Sequence, residues 1–133
     1  MTVFVDTSYF IARMQASDQW HAAAVAADDP TYDLVTSNDV VNETISLLRA
    51  RGFVSLALDF LREIRAGGDI HVVYVDAGIQ AEAWDLYARF AGIGSSGVDC
   101  TSFAMMRRLG IRQAFTFDKH FRAAGFGIVE AHV

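Results

Sequence analysis

Thr2-Val3-Phe4-Val5-Asp6-Thr7-Ser8-Tyr9-Phe10-Ile11 opens the chain with four strand-forming residues, one carboxylate and then a helix-forming run. Thr2 to Val5 is short and does not alternate with charged residues, the pattern of a strand buried on both faces. Asp6 stands where the chain leaves that strand. The same order returns near the other end, where Ala114-Phe115-Thr116-Phe117 is followed by Asp118 and then by Lys119-His120-Phe121. Three further segments, Leu34-Val35-Thr36, His71-Val72-Val73-Tyr74-Val75 and Gly127-Ile128-Val129, read as strands bounded by turn residues.

Between these strands lie segments of helical period. They are marked by Val41, Ile45 and Leu48, by Phe53, Leu56, Ala57, Phe60, Leu61 and Ile64, by Ile79, Ala83, Leu86, Tyr87 and Phe90, and by Val98, Ser102, Met105, Met106 and Leu109. Short strands alternating with helices imply crossover connections, so the expected fold class is α/β with a parallel sheet covered on both faces. Gly67-Gly68, Gly110 and Gly125 fall where those helices should stop. A length of 133 residues with 53% hydrophobic content suits one domain with its own core, and no repeat, linker or low-complexity tract divides it. Cys100 is the single cysteine, which excludes an internal disulfide and any cysteine-rich zinc site. No stretch is apolar enough to span a membrane, and the expectation is a protein of the reducing cytoplasm.

The net charge of −5 argues against coating nucleic acid by bulk charge. If four of the acids bind a cation, however, the remaining balance is near neutral, and ten of the eleven basic residues are arginine, suited to local phosphate contacts. Four acids are the candidates. Asp6 and Asp118 should sit at the C-terminal ends of strands, the edge of a parallel sheet where ligands bind. Glu43 lies about a turn into the helix after Thr36-Ser37-Asn38-Asp39, flanked on its own face by Val40 and Leu47, so it either points toward the protein or reaches water from the edge of that face. Asp99 opens the next helix, three residues after Ser96 in a capping-box spacing. Taken singly, Asp6 and Asp118 read more readily as helix caps, and Asp99 equally as cap or ligand. Taken together, they could converge on one sheet edge. Two carboxylates about 4 Å apart repel by roughly 4 kcal/mol at an effective dielectric near 20, so a converged cluster needs a counter-charge. Oxygen-only ligands with no nearby histidine or cysteine point to Mg²⁺ or Mn²⁺ rather than zinc.

In this order the residues resemble the PIN-domain family, and in particular the VapC-type toxins of bacterial toxin–antitoxin pairs. Val5-Asp6-Thr7-Ser8 is similar to the family's opening motif, Glu43 to its helix glutamate, Gly97-Val98-Asp99 to its third acid, and Thr116-Phe117-Asp118-Lys119-His120-Phe121 to its closing motif. Cys100 departs from the aliphatic or small residue expected there. The resemblance implies a single domain over residues 1–133, a three-layer α/β/α sandwich with a five-stranded parallel sheet, and Mg²⁺-dependent cleavage of RNA, with Mn²⁺ as substitute. It also implies homodimers and neutralisation by a small antitoxin. Asp6, Glu43, Asp99 and Asp118 would be the catalytic and metal-binding residues, with Thr7, Ser8 and Thr116 as hydroxyls that orient them. His120 could contact substrate phosphate, but reads more simply as a polar helix residue.

Two other readings compete. A receiver or phosphatase-like phosphotransfer domain also gathers acids at strand ends, but Ser8 stands where a haloacid-type phosphatase needs a second aspartate. A catalytically silent module binding RNA or protein would have no use for four retained acids. Gly92-Ile93-Gly94-Ser95-Ser96-Gly97 matches a dinucleotide-binding spacing, yet a helical segment feeds it rather than a strand, so it reads as a helix-to-helix turn.

Overall fold

The computed structural model describes residues 1–130. Five strands, β1 (Thr2–Val5), β2 (Asp33–Ser37), β3 (Ile70–Val73), β4 (Gln113–Phe115) and β5 (Gly127–Ile128), form one parallel sheet in the order β3-β2-β1-β4-β5. The helices are α1 (Thr7–Met14), α2 (His21–Ala27), α3 (Asn38–Ala50), α4 (Val54–Arg65), α5 (Ala77–Phe90), α6 (Gly97–Leu109) and α7 (His120–Ala123). The result is the expected three-layer α/β/α sandwich. Its strand order differs from that of a receiver, which runs 2-1-3-4-5.

Strand order reverses between β1 and β4, and such a switch point opens a crevice at the C-terminal edge of the sheet. β1 and β4 pair with Val5 opposite Phe115. One step further on, Asp6 and Thr116 therefore stand side by side. Val3, Phe4 and Val5 have no exposed surface, consistent with a central strand covered on both faces.

The segments read from the sequence are all present, with shifted ends. β3 stops at Val73 rather than Val75, because the Val75 amide turns to the Asn38 side chain at 2.8 Å instead of a neighbouring strand. β4 stops at Phe115 rather than Phe117, because the Phe117 amide donates to Ser8 Oγ at 2.9 Å. Asp118 thus lies in a turn beyond the strand. Helix α2, His21-Ala-Ala-Ala-Val-Ala-Ala27, has no counterpart in the periodicity reading, since a run of alanines carries no apolar stripe. The glycine-rich segment 92–97 connects α5 to α6 through a 3₁₀ turn, as its context suggested.

Phe103 on α6 is 1% exposed and packs edge-on against Phe90 and Phe121 and near-parallel to Phe126. It therefore joins α6, which carries Asp99 in its first turn, to the short helix that follows Asp118. Phe103→Ala should destabilise the fold by about 3–5 kcal/mol in urea unfolding, as for other buried phenylalanines. Trp84→Ala, at a position 68% exposed, should stay within about 0.5 kcal/mol of wild type. A small loss at Phe103 would contradict this packing.

Candidate active site

Asp6 is 3% exposed, and its Oδ2 receives three hydrogen bonds: Thr116 Oγ1 at 2.8 Å, Ser8 Oγ at 2.9 Å and the Ser8 amide at 3.4 Å. The amide bond caps α1, so the capping role and the pocket-facing role coexist. Each hydroxyl has one proton to give. With both spent on Asp6, the 3.1 Å contact between Ser8 and Thr116 is a close approach rather than a third bond. The same hydroxyls accept from backbone, Ser8 from the Phe117 amide and Thr116 from the Asp118 amide at 2.9 Å each. Asp6 is thereby locked to the turn after β4.

Thr7 behaves differently from the sequence expectation. Its hydroxyl points to the Val40 carbonyl at 3.5 Å and lies 3.4 Å from the Thr44 hydroxyl, so it orients none of the four carboxylates. The first residue of α1 faces α3, and Thr7 ties those two helices together beside Glu43.

Asp99 is 7% exposed and completes a capping box with Ser96, accepting from the Ser96 amide at 3.0 Å while its own amide donates to Ser96 Oγ at 3.0 Å. Asp118 Oδ1 accepts from the His120 amide at 2.9 Å. Half-buried Glu43 projects from α3. Asp6, Glu43, Asp99 and Asp118 all line one pocket of about 190 Å³, together with Thr7, Ser8 and Arg51. Arg51 is engaged elsewhere, donating to Gln15 at 3.0 Å and to Asp18 at 3.3 Å. The acids therefore have no dedicated counter-charge from it.

His120 is the residue that sequence reasoning undervalued. Its Nδ1 is buried 2.8 Å from Asp118 Oδ1 and 3.8 Å from Asp99 Oδ2, yet makes a hydrogen bond to neither. Asp99, Asp118 and His120 are the one set among the described residues whose potential ligand atoms all lie within 4.8 Å of one another. The Asp-x-His spacing was the available signal: the turn that lets Asp118 accept from the amide two residues on also brings that residue's ring back over it. Gly94, in the left-handed conformation at φ 84°, lies under the ring, where an added Cβ would meet His120 Nε2 at 3.6 Å. Cys100 is fully buried and joins the core, its thiol pushed up by burial and by the Asp99 charge.

The electrostatics follow from this crowding. Burial is the largest influence on Asp6 and lifts its pKa from 3.8 to about 7, with Asp99 and Glu43 adding to the rise while the Thr116 and Ser8 hydrogen bonds oppose it. Burial also raises Asp99, opposed by the Ser96 amide and, more weakly, by His120, and reinforced by Asp118 and Glu43. An orphaned imidazole nitrogen aimed at two carboxylates, and acids that resist ionising together, fit a divalent cation.

The metal-free protein should therefore lose stability as pH rises. Folded Asp6 keeps a proton up to about pH 7 that the unfolded chain releases near 3.8, so the stabilisation present below that value disappears across the interval. The full effect is on the order of 4 kcal/mol. In chelator, the melting temperature of wild type relative to Asp6→Asn should fall between about pH 4 and pH 7 and level off above. A difference that does not change with pH would contradict the burial of a shared charge at Asp6.

Comparison with known proteins agrees with the geometry. The PIN domain family model matches residues 3–127. The 23S rRNA-specific endonuclease VapC20 of Mycobacterium tuberculosis, from two strains, is 39% identical over 126 residues, covering 93% of this chain and 95% of that protein. The crystal structure of M. tuberculosis VapC20, described as a Sarcin-Ricin loop cleaving toxin, superimposes with a TM-score of 0.87 at 37% identity, covering 96% of this chain and 98% of that one. With a family model matched over nearly the whole length and a relative 39% identical over 126 residues, this chain belongs to the PIN-domain family.

Proposed function

We propose that residues 1–133 form a single-domain, metal-dependent ribonuclease that cleaves single-stranded or looped RNA and acts as the toxin of a toxin–antitoxin pair. The observation that carries this reading is the meeting of Asp6, Glu43, Asp99 and Asp118, from four separate parts of the chain, around one pocket of about 190 Å³. The kinship with an endonuclease directed at 23S rRNA supports RNA as the substrate class. A silent module would carry the repulsion of these acids without using it.

Asp6, Asp99, Asp118 and Glu43 would hold the cation, with His120 Nδ1 able to join them. Mg²⁺ is the expected ion. One imidazole among oxygen donors also suits Mn²⁺. A divalent cation there lowers the pKa of water and stabilises charge developing on the phosphate. The chain's own contribution is placement: Thr116 and Ser8 fix Asp6, Ser96 fixes Asp99, and the turn at residues 118–120 fixes Asp118. Water would attack the phosphorus, one P–O bond forming as the bond to a ribose oxygen breaks and a proton from the water passing to that oxygen.

We further propose a small antitoxin as partner, placing a basic side chain among the acids. A homodimer could form through the exposed apolar side chains Trp84 and Tyr87, one turn apart on α5. A cytoplasmic location is likewise our reading. No helix among the described residues is long and apolar enough to cross a membrane.

Purified protein should cleave looped RNA with Mg²⁺ or Mn²⁺ and stop when chelator is added. Asp6→Asn and Asp99→Asn should each lower the rate by about a hundredfold or more, the scale seen when one electrostatic group is removed from a transition state. Glu43→Gln and Asp118→Asn should also lose activity, less completely. Full activity in both Asp6→Asn and Asp99→Asn, with contaminating nuclease excluded, would refute the assignment.

A further inference from the structure

A second, larger groove of about 810 Å³ adjoins the acids, and Thr116 and His120 line it. Both also belong to the acidic site, through Asp6 and Asp118 respectively. The groove is unlike the acidic pocket in chemistry. Its wall includes Trp20, Phe117, Lys119, Arg122 and Ile128. The Trp20 indole lies on the Phe117 ring with centroids 5.3 Å apart and planes 5° from parallel, while the residue stays 45% exposed. One face of the indole is thus braced, and the side chain still borders open space.

Charge distinguishes the groove further. The cation that the acids would hold serves the scissile phosphate, so the neighbouring phosphates of a strand need cations just outside the cluster. Arg51 on the acidic pocket is tied to Asp18, and Arg107 and Arg108 lie near Glu82 and Asp76 at 3.6 Å each. Arg122 and Glu130 both line the groove and pair with each other at 3.2 Å, so neither charge is left over there. Lys119 is the only lysine in the chain, is exposed, and has no ion pair among the described residues. A braced aromatic plane beside an unpaired cation, continuous with a phosphate-cleaving site, is the chemistry of single-stranded nucleic-acid subsites.

We propose that this groove holds an unpaired nucleotide flanking the scissile phosphate, with its base stacked on Trp20 and its phosphate on Lys119. The inference rests on the nuclease reading for the direction of the strand. Apolar wall residues alone would equally suit a peptide; the braced indole and free lysine favour RNA.

The test uses the full chain carrying Asp6→Asn, to slow cleavage, and Trp84→Phe, which leaves Trp20 as the only indole. A single-stranded oligoribonucleotide of about ten residues should quench Trp20 fluorescence in the presence of Mn²⁺. When its bases are removed one at a time, one abasic position should weaken binding about tenfold. That penalty should vanish in Trp20→Leu and return in Trp20→Phe, a pattern that general loosening of the fold would not produce. Lys119→Gln should weaken all the oligonucleotides alike and reduce the salt dependence by about one phosphate contact. Absent quenching, or RNA affinity unchanged in both Trp20→Leu and Lys119→Gln, overturns the proposal and leaves the groove to a protein partner. Cleavage is measured separately on the chain with Asp6 intact. Quenching without cleavage would sink the nuclease reading and keep the subsite, and cleavage without quenching would do the reverse.

Discussion

Burial of the Asp6 and Asp99 carboxylates, aggravated by the charges of the acids around them, is the constraint on which the rest of the structure depends. A carboxylate as buried as Asp6 is expensive to ionise even alone. With Asp99 and Glu43 close by, its pKa rises to about 7 in spite of two hydroxyl hydrogen bonds. No arginine or lysine among the described residues relieves this repulsion, and His120 opposes it at Asp99 as the smallest of the influences there. Arg51, the nearest cationic wall residue, is held away by Gln15 and Asp18. What the fold supplies is rigidity: Asp6, Asp99 and Asp118 are each fixed by a local cap or turn before any cation arrives. Caps that stabilise helices thus also set the spacing of a charged site.

Topology decides where that site lies. The chain reverses its strand order between β1 and β4, which opens a crevice at their C-terminal ends and puts Asp6 next to Thr116. The early end of β4 follows from the same contact, since Phe117 and Asp118 give their amides to Ser8 and Thr116 rather than to a strand. The α5–α6 connection contributes twice, through the Ser96 cap on Asp99 and through Gly94 beneath His120. A segment that looks like a nucleotide-binding loop is therefore a support for the acids.

The sequence carried the fold class and the four acids because both depend on local pattern. Strand–Asp–helix at residues 2–11 and 114–121 is visible as a string, and so is the Ser96-x-x-Asp99 box. What the string hides is direction and partnership. Thr7 and Ser8 are adjacent hydroxyls after the same strand, yet Thr7 turns to Val40 and Ser8 to Asp6, because successive residues of a helix face different neighbours. His120 looked like an ordinary helix residue, and its approach to Asp118 and Asp99 depends on a turn that periodicity does not encode. Helix α2 escaped notice for want of an apolar stripe, and with it the placement of Trp20 against Phe117, nearly a hundred positions apart.

The central claim is that these acids repel one another until a cation binds, and thermal melting at pH 8 tests it without a substrate. Asp99→Asn keeps an oxygen for the Ser96 cap but removes one charge. In chelator the variant should melt at or above wild type. Saturating Mn²⁺ should reverse the ranking, since a cation bound only by the folded state stabilises it by about 2.7 kcal/mol at a hundredfold excess over Kd, and the variant should gain much less. If the variant melts below wild type in chelator and Mn²⁺ shifts both alike, the acids are structural caps and the metal-centred account is wrong.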